Sequence, residues 1–360
     1  MVRRVRFRRS PKTAYENALK EMKEIFLSDE MPEEKVIDIE KYYTLSKKTL
    51  GEYVTLDWVH KSEIEDLIKT IKKYSQDLSQ TRPLNVVMIA ESGLGKSHFI
   101  SCIAKKMKKF GVSGVSFNMA IMQNLNDLIQ PIEAVRNLKV VDQLPLLFLD
   151  EIDSDSQNYA RLLPLMWDGE VSLGHRDLKL GKVVIIMTAS NPDIKKVMKS
   201  AQSMQSEIES IKSDQKKLVD LLSRVNGGII EIPQLDKKTK IRDRRIDKVC
   251  LSISLLQRKF GANLEIVPWA LLRFIAISRF RYGVRSISHL IDTIPGNIEI
   301  EETLNLEDFH LPLDSKGELM KSSLAYHLIA EDEPESIVET WKEISSVKTL
   351  VKFESEWEEI

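Results

Sequence analysis

The sequence predicts an α/β protein: a parallel sheet with helices on both faces, a helical N-terminal extension before it and an all-helical unit after it. Three observations carry that expectation. Short apolar runs at residues 86–90, 112–119, 144–149, 183–188 and 229–232 alternate with helix-like or loop-like sequence, as buried strands of a parallel sheet do. A glycine-containing turn follows the first run at once, and an amphipathic pattern (Phe99, Ile100, Ile103, Ala104, Met107) follows the turn. Beyond Pro233 the apolar runs stop and helical spacing takes over.

The elements fall in order along the chain. Ala14, Ala18, Met22 and Phe26 recur every four residues, a single helical stripe that Pro32 is expected to close. Ile64, Leu67, Ile68 and Ile71 mark a second helix, ended by a polar break over residues 77–83. The strands and their helices come next, and a long polar helix over residues 193–222 reads as an extended arm. Three helices are expected at residues 237–260, 268–279 and 284–294.

Composition bounds the partners. With 360 residues the chain is long enough for more than one domain. Its formal net charge of -1 excludes a uniformly basic or acidic coat. Charge gathers at the ends, with Arg3, Arg4, Arg6, Arg8 and Arg9 at the start and an acidic tail from Glu331 to Glu359. Cys102 and Cys250 have no cysteine or histidine neighbour at metal-binding spacing, so neither a disulfide framework nor a zinc site is expected. The basic start lacks a following apolar stretch, and no run approaches the roughly 18 apolar residues of a membrane span. A soluble, cytoplasmic protein without membrane contact is the expectation.

The turn after the first strand reads Ala90, Glu91, Ser92, Gly93, Leu94, Gly95, Lys96, Ser97, followed by His98. This is P-loop spacing with alanine in place of the first glycine. Glycines let the backbone curl so that successive N–H groups point at phosphate oxygens, and the helix N-terminus adds its partial positive charge. Lys96 suits the β- and γ-phosphates of ATP, and the Ser97 hydroxyl suits Mg²⁺. Further on, the run at residues 146–149 delivers Asp150 and Glu151 at its carboxyl end, where parallel sheets bind ligands. Asp150 suits a second contact to Mg²⁺, and Glu151 suits polarisation of an attacking water.

These motifs, in this order, resemble the AAA+ superfamily of P-loop NTPases over residues 55–295. The resemblance implies a large nucleotide-binding domain at 55–234 and a helical lid at 235–295. An N-terminal extension at 1–54 and an acidic C-terminal extension at 296–360 lie outside it. It implies that Asn191, ending the run that begins at Val183, senses the γ-phosphate. Arg224, in Leu221-Leu222-Ser223-Arg224-Val225, takes the place of an arginine finger. Arg285, in Tyr282-Gly283-Val284-Arg285-Ser286, takes that of the lid's phosphate sensor, with Arg279 and Arg281 as rivals. Residues 56–60 sit where the family contacts adenine. Residues 167–182 resemble the hairpin or loop that Clp and HslU ATPases insert. No aromatic-hydrophobic-glycine triplet follows the second strand, and Phe117 and Met119 read as strand core, which demotes classical protein unfolding.

The expected function is therefore an AAA+ ATPase acting at subunit interfaces of a homo-oligomer, ring or filament, and remodelling or recruiting a protein partner. Two other readings remain. One is a nucleotide-dependent switch or scaffold that recruits an effector, as AAA+ proteins of bacterial antiviral systems do. The other is a DNA-associated loader, suggested by the Arg-rich start and by Lys105, Lys106, Lys108 and Lys109; the near-neutral chain disfavours nucleic acid as a partner.

Overall fold

A computed structural model of the chain describes residues 11–28, 50–140, 143–173, 176–191, 194, 197, 213–236, 244–261, 264, 266–295, 304, 307, 309–330, 334–346 and 350–352. Its elements, in chain order, begin with α1 (Pro11–Leu27), α2 (Trp58–Gln76), β1 (Leu84–Ile89), α3 (Lys96–Lys108) and β2 (Val112–Asn118). Next come α4 (Ile129–Val140), β3 (Leu144–Asp150), α5 (Gln157–Trp167), β4 (Glu170–Leu173), β5 (Arg176–Lys179) and β6 (Val184–Ala189). Then follow α6 (Ser213–Ser223), β7 (Gly228–Glu231), α7 (Arg245–Phe260), β8 (Ile266–Pro268), α8 (Trp269–Ile277) and α9 (Val284–Asp292). The last are α10 (Leu324–Leu328), α11 (Pro334–Ser345) and β9 (Leu350–Lys352). They form two compact units.

The larger unit, residues 49–53 and 57–234, is built on a five-stranded sheet in the order β2-β3-β6-β1-β7, with every neighbouring pair parallel. β1 and β6 are buried along their whole length, because helices cover both faces of these inner strands. Alternation divides β1 between two cores. Val86 and Met88 pack with Ile64, Ile71, Phe99 and Ile103 of α2 and α3, whereas Val87 and Ile89 pack with Ile132, Leu162 and Leu221 of α4, α5 and α6. Each such fully buried aliphatic side chain contributes about 1.5–3 kcal/mol of transfer free energy. The edge strand β2 alternates between half-buried and exposed positions, and β7 is short. Asp57 caps α2 by accepting from the amides of Val59 (2.9 Å) and His60 (3.1 Å).

The smaller unit gathers residues 1–48, 54–56 and 235–360. α8 is its centre, with Trp269, Leu271, Leu272, Phe274 and Ile275 all buried. α1 closes on it through the stripe residues Met22 and Phe26, both fully buried. The carbonyls that α1 leaves unpaired at its C-terminus are satisfied by α8: Trp269 donates to the Ile25 carbonyl (3.0 Å), and Arg273 to those of Phe26 and Ser28 (2.8 Å each). Phe309 and Trp341 stack edge-on at 4.9 Å against each other and beside Phe274, so chain segments before residue 55 and after 295 share one core with the helices between. Lys248, buried, pairs with Asp236 and donates to the Ser278 carbonyl at 2.5 Å.

Two expectations change. Strands do not stop at Pro233: β8 pairs antiparallel with β9, so the smaller unit is not wholly helical. Of the arm expected over 193–222, α6 is seen, and Ile194 and Val197 are helical and buried in the core of the larger unit rather than extended from it. Its other residues, along with Pro32, residues 237–243, the Arg-rich start and Glu354–Glu359, lie outside the described residues. No helix among the described residues is long and apolar enough to cross a membrane.

Candidate active site

The P-loop joins the buried end of β1 to the start of α3. Gly93 and Gly95 both take φ 83°, a left-handed conformation that costs a residue with a Cβ roughly 1–2 kcal/mol. A Cβ on Gly95 would meet nothing within 4 Å among the described residues, and the demand there is conformational. Gly95 is also the N-cap of α3, without a side-chain cap, which leaves the first amides of the helix for an anion. Glu91, Ser92 and Ser97 are exposed, Gly93 and Leu94 buried, and Gly95 and His98 half-buried.

Lys96 is mostly buried, and its ammonium donates to the Ala90 carbonyl (3.3 Å) and to the Ser190 hydroxyl just past the end of β6. That contact brings the P-loop to the β6 terminus. β3 reaches the same place, because β6 lies between β1 and β3. Thr188 of β6 donates to the Asp150 carboxylate, and the Glu151 amide donates to Asp150 Oδ1 (3.0 Å) and to Thr188 Oγ1 (3.2 Å). Glu151 takes φ 56°, and it is the one non-glycine residue with positive φ among the described residues. Asp153 Oδ2 accepts from the amides of Ser190 (2.8 Å) and Asn191 (2.6 Å). Lys96, the adjacent pair Asp150 and Glu151, and the backbone of Asn191, distant from one another in sequence, thus come together at the carboxyl edge of the sheet.

Oxygen donors suit Mg²⁺, and Ser97 with Asp150 offers a hydroxyl and a carboxylate of the hard type it prefers. Hydrogen bonding to Thr188 and Glu151 engages Asp150 Oδ1 and leaves Oδ2 to a cation.

Residues 86–211 match the model of the ATPase family associated with various cellular activities (AAA). The larger unit is an AAA+ P-loop NTPase domain. Solved structures similar to the chain include the S. cerevisiae Hsp104–ADP complex, at 16% identity over 71% of this chain and 46% of that one, TM-score 0.43. NtrX from Brucella abortus with ATP aligns at 16% identity over 76% of this chain and 59% of that one, TM-score 0.46. With ADP, NtrX aligns at 14% over 86% and 64%, TM-score 0.47. The chain spans less than two thirds of the length of each. No curated protein matches it.

Arg224 lies at the opposite edge of the AAA+ domain's sheet. Its carbonyl accepts from Asn85 Nδ2 (3.0 Å) at the entry of β1, and its guanidinium nitrogen Nη1 is buried without a hydrogen-bond partner among the described residues. Five residue steps separate Asn85 from Ala90, about 16 Å at strand rise. Arg224 is therefore not brought to the P-loop of its own chain. The hairpin expected at 167–182 is β4 paired with β5. Beside it Arg82 lies 4.8 Å over the half-exposed Trp167 ring, on an open depression of 470 Å³ lined by Thr81, Arg82, Asp168, Glu170, Lys179 and Gly181. This depression adjoins the entry of β1 and β6, away from the nucleotide motifs.

In the smaller unit, Arg285 is exposed in the first turn of α9, whereas Arg281 donates to the Ile329 carbonyl (2.7 Å). In the larger unit, His60 is buried and shares a 3.0 Å hydrogen bond with the Tyr53 hydroxyl. Contrary to the expectation that Cys102 lacks a histidine neighbour, His98 one helical turn before it brings Nε2 to 3.7 Å. No third ligand joins them among the described residues, and burial pushes the Cys102 thiol up, away from the reactive thiolate. Lys105 pairs with Glu52 (3.5 Å), while Lys109 and Lys72 both sit over Phe110, at 5.3 and 5.1 Å. The lysines of α3 crowd its last turn, where the negative end of the helix dipole favours cations.

Sequence reasoning missed Asp153, Thr188, Ser190 and Asn85. Asp153 stands two residues past Glu151, but only the adjacency of β3 and β6 distinguishes it from Asp155, which pairs with Arg161 instead at 3.2 Å.

Proposed function

We propose that this protein binds and hydrolyses ATP at the carboxyl edge of its AAA+ sheet, at interfaces between copies of itself, and couples turnover to remodelling or recruiting a protein partner. The observation that carries the reading is the convergence on β6: Lys96 meets Ser190, and Asp150 and Glu151 are both tied to Thr188. Glycine-shaped amides and the start of α3 cradle the phosphates, and Lys96 exchanges its protein oxygens for phosphate oxygens. Mg²⁺ held by Ser97 and Asp150 would supply neutralising charge. Glu151 takes up the proton-accepting, water-orienting role, and Asn191 lies beside the γ-phosphate.

Arg224 is compatible with an interface site, because it is too far from its own P-loop to serve it. Supplied by a neighbouring copy, it stabilises charge on the transferring phosphoryl group. Arg285 takes the phosphate-sensing role that the family resemblance implies for it.

Equilibrium binding of a fluorescent ATP analogue and phosphate release, measured side by side, test the assignment. Lys96→Ala should lose binding. Glu151→Gln should bind normally and turn over about a hundredfold more slowly or worse. Full hydrolysis by Glu151→Gln would overturn the catalytic assignment.

A further inference from the structure

We propose that Asp153 is a positioning residue for hydrolysis, setting Asn191 and Ser190 in place through their backbone amides. This rests on the reading of the site as an ATPase. β3 and β6 pair as far as Leu149 and Met187, and the Ile152 amide still reaches the Thr188 carbonyl at 3.0 Å. Past that point one carboxylate oxygen of Asp153 takes over, accepting from Ser190 (2.8 Å) and Asn191 (2.6 Å). Hydrogen bonds to an ionised carboxylate are shorter and stronger than neutral ones. The chain offers no further donor immediately beyond, since residue 192 is proline.

The two amides belong to the two residues that follow β6 at the carboxyl edge of the sheet. Ser190 holds the Lys96 ammonium through its hydroxyl, and Asn191 is the γ-phosphate sensor of the proposed function. Asp153 thereby links the loop that carries Glu151 to the strand end that carries Asn191. Its own loop is braced independently: Arg161 ties Asp155 (3.2 Å), Asn158 (3.1 Å) and Gln157 (2.9 Å). Next to it Tyr159 is buried, and desolvation followed by the Asp153 charge pushes its hydroxyl up to about 12, so it stays neutral beside the carboxylate.

A positioning role and a merely structural one differ in what they move. Asp153→Ala should lower kcat on the order of ten- to a hundredfold, as small misplacements of reacting groups do, and leave nucleotide affinity within about twofold. Asp153→Asn keeps an acceptor oxygen and should recover most of the rate. In an Asn191→Ala background, Asp153→Ala should cost little more, because both changes remove one function. Melting temperatures with and without nucleotide show whether each variant is folded, and Asp153→Ser, whose shorter side chain cannot reach both amides, carries the comparison if the alanine variant is not. Equal losses in both backgrounds, or affinity falling in step with rate, would overturn the role of Asp153. An Asn191→Ala variant with full activity would overturn it too, and would also show the sensor assignment to be at fault.

Discussion

Glu151 sits in the left-handed region at φ 56°, where a side chain costs roughly 1–2 kcal/mol. The conformation persists because Asp150 and Thr188 together hold its amide. Glu151→Gly should therefore raise stability by up to about 1 kcal/mol while abolishing turnover, whereas Glu151→Gln should leave stability unchanged. Paired thermal melts and phosphate-release assays check this, and a lower midpoint for the glycine variant would show that the backbone is not strained there. Sequence made Glu151 a candidate through its place after an apolar run. Its backbone angle was not legible, because the groups that impose it include Thr188, 37 positions away.

At the scale of elements, the junction of β1 and β7 rests on close approach. Any Cβ on Gly227 would lie 2.7 Å from Val86 Cγ2 and 3.0 Å from the Asn85 carbonyl, and the Gly227 amide donates to that carbonyl at 2.8 Å. Gly227→Ala should destabilise the fold by about 1–3 kcal/mol, measured by chemical denaturation. It should also weaken interface-dependent hydrolysis, since Asn85 holds the Arg224 carbonyl. Wild-type stability in that variant would show that the strands separate at little cost. The inner strands were legible as continuous apolar runs because both their faces are covered. β8 and β9 were not: each is three residues long, and each finds its partner more than 80 positions away.

At the scale of the whole molecule, the site is completed between copies if Arg224 acts as proposed. Arg224→Ala should bind ATP yet lose about a thousandfold or more of assembly-dependent turnover. Mixing it with Glu151→Gln subunits should restore some hydrolysis, because one interface then holds an intact Glu151 and an intact Arg224. Particle mass in ATP, together with the mixed-subunit rate, checks this; no rescue would place Arg224 outside the catalytic set. The sequence alone determined the phosphate-binding turn, the two acids and the α/β alternation, because each depends on residue types at short spacing. Tertiary structure alone decided that Asp153, Thr188 and Ser190 lie against the candidate residues and that Arg224 lies at the opposite edge of the sheet. Those relations come from strand order, which places β6 between β1 and β3 and which no local pattern encodes.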